Sequence, residues 1–241
     1  MPPSIPELAA ATVAATAAAG ALAYAALSSQ SQLFGPVLIA PPRPSEIALT
    51  YDDGPNDIAT ERLLEVLARH QVRATFFLIG SFVRQRPQLT RALAAGHLIG
   101  NHTMTHPWLA WQSAARIREE LSACNKALED TLGAPVHLFR APHGARRPFV
   151  LRTARELGLT PVHWNIIVDD WNPHPPEAIL ANITRGIAHN QRRGQASNIL
   201  LHDGGHTAIG QPRLPSVEAT DLLLHQHTQS QTKFVTVDAW I

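Results

Sequence analysis

The hydrophobic positions of this chain change period along its length. From Glu46 onward, short apolar runs alternate with segments whose apolar residues recur every three or four positions. The short runs predict strands at Glu46–Tyr51, Arg73–Ile79, His97–Asn101, Val136–Arg140, Pro161–Ile166, Asn198–His202 and Lys233–Val237. The helical period falls at Ile58–His70, Phe82–Ala95, Ser113–Leu132, Arg147–Leu157, Pro176–Gln191 and Ser216–Gln229. Asp57 and Ser113 stand where helix starts need a cap, and Gly96, Gly133 and Gly158 follow helix ends. Strands alternating with helices imply parallel βαβ units, hence a doubly wound sheet or a closed barrel. Residues 46–241 then form one domain.

Ahead of that domain the pattern is different. Leu8–Leu27 is apolar except for Thr12, Thr16 and Gly20, and about 20 such residues suffice to cross a bilayer. Alanine dominates the stretch, and Glu7 is the only charge before Arg43, so the basic leader of a secretory signal is missing. Residues 1–28 read as a membrane anchor or signal segment, associating with a membrane through residues 8–27. The alternatives are a signal cleaved near Ala23-Tyr24-Ala25 and a plain alanine-rich helix. Pro36, Pro41, Pro42 and Pro44 make residues 29–45 a linker.

Composition narrows the function. Hydrophobic residues are 45 % of the 241, ample for a core. Lys and Arg number 20 against 19 Asp and Glu, a net charge of +1 without the concentrated basic face that nucleic-acid binding requires. Cys124 is the one cysteine, which excludes an intramolecular disulfide and a cysteine zinc finger. It shares an apolar helical face with Ile117, Leu121, Leu128 and Leu132, as a core thiol would. Thirteen histidines make a histidine-held metal worth seeking.

Polar residues cluster where the apolar strands end. The first strand runs into Asp52-Asp53-Gly54 and the third into Asn101-His102, with His106 following. The fourth ends at Arg140, the fifth precedes Asp169-Asp170-Trp171, and the sixth ends at His202-Asp203. In a parallel barrel those ends share one rim, where catalytic groups gather. On a helical turn His102 and His106 would face the same way and share a metal; otherwise they are packing or capping histidines. Asp52 and Asp53 offer a third ligand, or form a solvated Asp-Gly turn. Two imidazoles and a carboxylate leave a coordination position open, and the second acid can then serve as a base toward water. Arg140 is a clamp for that acid or a surface arginine. His202 is a packed core histidine or a general acid held by Asp170, and Trp171 with Leu200 walls a small acyl pocket or simply packs.

In order and placement these motifs resemble the polysaccharide deacetylase family, carbohydrate esterase family four, from about Glu46 to the carboxyl terminus. Thr50-Tyr51-Asp52-Asp53-Gly54 looks like its Thr-Phe-Asp-Asp-Gly signature, and His102 to His106 like its His-Ser/Thr-x-x-His metal motif. Arg140-Ala-Pro-His-Gly144 resembles its Arg-x-Pro-x-Gly segment, Asp170-Trp171 its Asp-Trp pair and Leu200-Leu-His202 its Leu-x-His motif. The resemblance implies a distorted parallel (β/α) barrel of about seven strands, preceded here by an N-terminal apolar helix. It implies Asp53, His102 and His106 as ligands of Zn2+, or of another divalent transition metal such as Co2+ or Ni2+. Asp52 would be the base toward water, with Arg140 bracing it, and His202, tuned by Asp170, the acid toward the departing amine. A backbone N–H near His143 would meet the oxyanion. Tyr51, His143, Trp171 and Leu200 would contact substrate, the last two enclosing the acetyl methyl.

Three positions depart from the family pattern. Tyr51 stands for the usual Phe, His143 for a frequent Tyr, and Ile167 occupies the place of a further Asp three residues before Asp170. The implied activity is removal of N-acetyl groups, as acetate, from a glycan containing N-acetylglucosamine (peptidoglycan, chitin or chitooligosaccharide) outside the cytoplasm. The alternatives are an O-acetyl esterase acting on xylan or another acetylated polysaccharide, and a noncatalytic glycan-binding protein on the same barrel.

Overall fold

β1 (Glu46–Gly54) is the strand around which the others assemble. The computed structural model describes residues 5–211, 213–227 and 232–241. β1 pairs in parallel with β2 (Thr75–Leu78) on one side and β7 (Ser197–His202) on the other. Beyond β2 follow β3 (Leu98–Asn101), β4 (Leu138–Phe139) and β5 (Thr160–Pro161); beyond β7 lies β6 (Ile166–Ile167). A short β8 (Lys233–Phe234) pairs with the start of β1. Every pairing is parallel, as the alternating pattern requires. Ile47, Leu49 and Tyr51 join the core beneath the helices, while Ala48 packs with Phe77, Leu138 and Val162 inside the curl.

The two edge strands, β5 and β6, are joined by residues 162–165 alone, which limits their separation to about 18 Å and forces the sheet to curl. The expected fifth strand, Pro161–Ile166, is therefore two short ones. The Val162 N–H still donates to the Phe139 carbonyl on the β4 side (2.8 Å), whereas the Asn165 N–H donates to the Asn198 carbonyl on the β7 side (3.1 Å). Asn198 holds this crossing together. Its side-chain amide donates to the carbonyls of His163 (2.8 Å) and Ile39 (2.9 Å), and its N–H donates to Asn165 Oδ1 (2.8 Å). Residues 37–41 lie against the open seam, with Leu38 bridging Val162 and the Ala196 N–H reaching the Pro41 carbonyl (2.9 Å). The proline-rich stretch is thus fastened, because seam N–H and C=O groups need partners.

The helices are α1 (Ile5–Leu27), α2 (Ala59–Arg69), α3 (Gly80–Gln85), α4 (Pro87–Ala94), α5 (Ala114–Leu132), α6 (Pro148–Glu156), α7 (Pro176–Arg192) and α8 (Leu214–His227). The expected helix Phe82–Ala95 is broken before Pro87, which lacks an N–H and starts α4 instead. Asp57 does not cap α2. Its carboxylate pairs with Arg86 (2.7 Å), and the Asn56 side chain accepts from Ile58 and Ala59. Ser113 does cap α5, accepting from the Arg116 N–H (3.2 Å), and Gly133 ends that helix at a φ of 67°. The expected end of the last helix, 228–229, lies outside the described residues.

α1 differs from the membrane-anchor expectation. Among the described residues no helix is long and apolar enough to cross a membrane. Alanine contributes little apolar surface, and Thr12 and Thr16 add hydroxyls bonded to the carbonyls one turn back. The end of α1 is tied to the barrel by the buried Arg146, which donates to the carbonyls of Ser28 and Ser31 (2.8 Å each).

Replacing Asn198 by Ala strands two buried carbonyls and should lower stability by about 2–4 kcal/mol. Ser113→Ala should cost about 1 kcal/mol. Urea unfolding should rank them in that order; equal midpoints would contradict the role given to the seam.

Candidate active site

Successive residues of a strand point to opposite faces, so Asp52 and Asp53 should not share a cleft. They do because the register of β1 against β2 shifts between Asp52 and Gly54, and Asp53 takes a left-handed φ of 72°. This bulge turns both carboxylates inward. Glycine is required twice here: a Cβ on Gly54 would run into the Asp203 carboxylate, and one on Gly204 into the Asp53 carbonyl. Tyr51, expected among the substrate contacts, precedes the bulge and keeps the regular alternation. Its buried ring stacks on Phe76 at 5.1 Å and its hydroxyl pairs with Thr220 Oγ1 at 2.8 Å, so it belongs to the core.

His102 and His106 meet on a bent loop after β3 and not on a helical turn. Thr103 and His106 have φ of 69° and 58°. Asn101 Oδ1 accepts from the Thr103 N–H (2.8 Å) and Thr103 Oγ1 from the His106 N–H (3.0 Å). The loop hangs on a buried carboxylate that lies outside the strand-end motifs. Glu120 of α5 accepts from the Thr105 N–H (2.8 Å), the Thr105 hydroxyl (2.6 Å) and Arg116 Nη2 (2.5 Å). An acid among Ile117, Leu121 and Cys124 on an apolar helix face was the available signal.

These folds bring Asp53, His102 and His106 together, with one ligand atom from each lying within 4.8 Å of the others. His102 Nε2 is 3.5 Å and His106 Nε2 3.1 Å from Asp53 Oδ1. His102 Nδ1 lies 2.9 Å from the Arg140 carbonyl. A carbonyl can only accept, so Nδ1 carries the proton, and a neutral His102 aims the Nε2 lone pair at a carboxylate. Among the described residues Asp53 Oδ1 is moreover buried without a hydrogen-bond donor. Lone pairs converging on one buried point are stabilised by a shared cation, and this donor set suits zinc and similar divalent ions. Burial alone would raise the Asp53 pKa, but the two adjacent imidazoles hold it well below the usual carboxylate range. Burial lowers that of His106, favouring the neutral imidazole that ligates metals.

Arg140 is fully buried and its Nη1 donates to Asp52 Oδ1 (2.9 Å) and Thr50 Oγ1 (2.8 Å). Asp52 Oδ2 lies 3.7 Å from His102 Nε2. Across the cleft, Asp170 accepts from His202 Nδ1 (2.8 Å), the His202 N–H (2.8 Å) and the Ser216 hydroxyl (2.7 Å). Asp170 is thus fully engaged although Ile167 replaces the further acid of the family pattern. Burial disfavours the His202 imidazolium, but the Asp170 charge and hydrogen bond outweigh it, with Asp53 and Asp52 adding, and raise its pKa to about 9. Trp171 stands edge-on to His202 at 5.5 Å.

The cleft between these groups has a volume of about 490 Å3; Leu200, Trp164, Trp171 and Ile167 supply apolar lining. His143 also lines it, on a turn where its φ is 56°; burial and the neighbouring His106, His206 and His102 lower its pKa to about 4. His206, which had no evident partner in the sequence, stacks on His106 at 4.5 Å with its Nδ1 3.9 Å from Asp53 Oδ2. Nothing local in Gly205-His206-Thr207 signals that placement.

A parallel barrel whose rim holds a carboxylate and two imidazoles beside an Asp–Arg and an Asp–His pair defines a class of hydrolase. Residues 40–162 match the sequence profile described as "Polysaccharide deacetylase". The chain is 41 % identical over 160 residues to the chitooligosaccharide deacetylase of Sinorhizobium fredii, covering 66 % of this chain and 72 % of that one. It is 32 % identical over 193 residues to the peptidoglycan-N-acetylglucosamine deacetylase PgdA of Listeria monocytogenes, covering 80 % of this chain and 38 % of that one. The crystal structure of the Bc1960 peptidoglycan N-acetylglucosamine deacetylase superposes with a TM-score of 0.75 at 30 % identity, over 83 % of this chain and 90 % of that one. The chain belongs to the polysaccharide deacetylase family.

Glu120→Ala frees the loop between the two imidazoles and should weaken zinc binding by roughly 10- to 100-fold. Glu120→Gln keeps one acceptor and should fall between. Competition with a chromophoric chelator measures both, and equal affinities in all three proteins would remove Glu120 from the site.

Proposed function

We propose that this chain hydrolyses the N-acetyl groups of a glycan containing N-acetylglucosamine and releases acetate. Zinc is the ion we assign to Asp53, His102 and His106, with cobalt or nickel as substitutes. One observation supports the reading above the others: Asp52, the three metal-type ligands and His202 converge on one cleft from different strand ends. A fold alone would not support it, since barrels host many activities.

A divalent ion held by the three ligands supplies Lewis acidity toward carbonyl and water oxygens. Asp52 has one oxygen fixed by Arg140 and the other turned to the cleft, where it accepts the proton of the attacking water. The backbone N–H at His143 meets the negative charge that develops on the acetamide oxygen. His202, protonated below about pH 9, delivers its Nε2 proton to the departing sugar nitrogen while Asp170 holds Nδ1. Leu200 and Trp171 wall the place of the methyl group. The relatives named for chitooligosaccharide and peptidoglycan support those two substrate classes, and peptidoglycan is a polymer outside the cytoplasm.

Acetate release from acetylated chitooligosaccharides, peptidoglycan and acetylxylan tests this. Activity on an amino-sugar substrate should fall at least about 100-fold in Asp52→Asn with zinc still bound. Release from acetylxylan alone would make the chain an ester hydrolase, and no release by the zinc-loaded protein would contradict hydrolysis altogether. The acid role has a separate signature. A folded pKa of about 9 keeps His202 charged through neutrality, so kcat should fall as pH rises through about 9. Asp170→Asn removes the main raising influence, leaves burial to act, and should move that limb to lower pH. An unmoved limb would take the acid role from His202.

A further inference from the structure

We propose that Trp108, backed by His143, is a platform for the pyranose ring next to the one being deacetylated. This inference rests on the glycan reading above and deepens it. The indole of Trp108 lies almost parallel to the His143 imidazole, with centroids 4.0 Å apart and planes 11° apart. His143 in turn meets the imidazole of His106 edge-on at 4.6 Å. Trp108 therefore stands two ring contacts from a metal-ligating side chain, beside a residue that lines the cleft, and is still 44 % exposed. An acetamide bound at the metal site would leave its own sugar at the mouth of the cleft beside His143, with the adjoining sugar on the indole face that His143 does not cover.

The chemistry of the surface fits that occupant. A pyranose with equatorial substituents presents a patch of axial C–H groups, apolar and slightly positive, while an indole face is apolar and slightly negative. The platform is also held in place before any ligand arrives. Leu109 is fully buried, the Trp108 carbonyl accepts from the Trp111 N–H (3.0 Å), and Gly144 and Ala145 close the turn that carries His143. A flat, preset surface loses little freedom on binding. The His143 ring, standing where the family often has Tyr, supplies the backing that keeps the indole upright.

The test is calorimetric titration of fully acetylated chitotetraose into the zinc-loaded full chain carrying Asp52→Asn, which separates binding from turnover. Adding Trp108→Ala should weaken Kd about tenfold at unchanged zinc content, and Trp108→Phe should restore it to within about threefold. An unchanged Kd in the Ala variant, equal losses in Ala and Phe, or a loss accompanied by lost zinc would each overturn the platform. So would a protein that binds no tetraose. Acetate release by the wild type is read separately: a chain that binds tetraose through Trp108 without releasing acetate keeps the platform and loses the hydrolase.

Discussion

Arg140 is the group on which the rest of the site depends. A guanidinium with no exposed surface must be paired, since an isolated buried charge is very costly. Asp52 and Thr50 supply partners from β1, the His163 carbonyl a third (3.3 Å), and the Phe77 ring lies 4.2 Å from the guanidinium carbon. The same residue acts through its backbone as well. Its N–H bonds the Asn101 carbonyl (3.0 Å), joining the ends of β3 and β4, and its carbonyl sets the tautomer of His102. One buried residue thus orients Asp52, the proposed base, and fixes which nitrogen of His102 faces the candidate metal position.

The surrounding rim combines strained backbone with rigid support. Asp53, Thr103, His106, His143 and Asp169 all have left-handed φ, and the first four line or adjoin the candidate metal position. Such conformations persist where the neighbourhood over-determines them. Here the bulge of β1, the hydrogen bonds to Glu120 and the close approach at Gly54 and Gly204 do so. The bulge consequently holds Asp53 turned toward the cleft.

Much of this was legible in the chain because parallel strands announce their carboxyl ends. Apolar runs that stop at Asp52, His102, Arg140 and His202 mark a rim whichever barrel or sheet they build. What was not legible depends on remote partners. The division of Pro161–Ile166 follows from Asn198, far along the chain, and the fastening of residues 37–41 follows from the seam that division leaves. Tyr51 precedes the bulge, so regular strand alternation carries its ring into the core and away from the cleft, which the motif alone does not reveal. The imidazole spacing suited a helical turn, but Asn101 and Thr103 side chains bond the backbone into a loop instead. Glu120 was hidden by its own context, a charge on a face otherwise read as core, and His206 by a loop whose path only the fold defines.

The central claim is that Asp53, His102 and His106 hold a cation in the position that Asp52 and His202 address. Calorimetric titration of chelator-treated protein with zinc tests it most directly. The account predicts one ion per chain in the wild type and loss of that binding in Asp53→Ala with the fold intact by circular dichroism. Absence of stoichiometric zinc uptake by the wild type, or equal uptake by the variant, would contradict it.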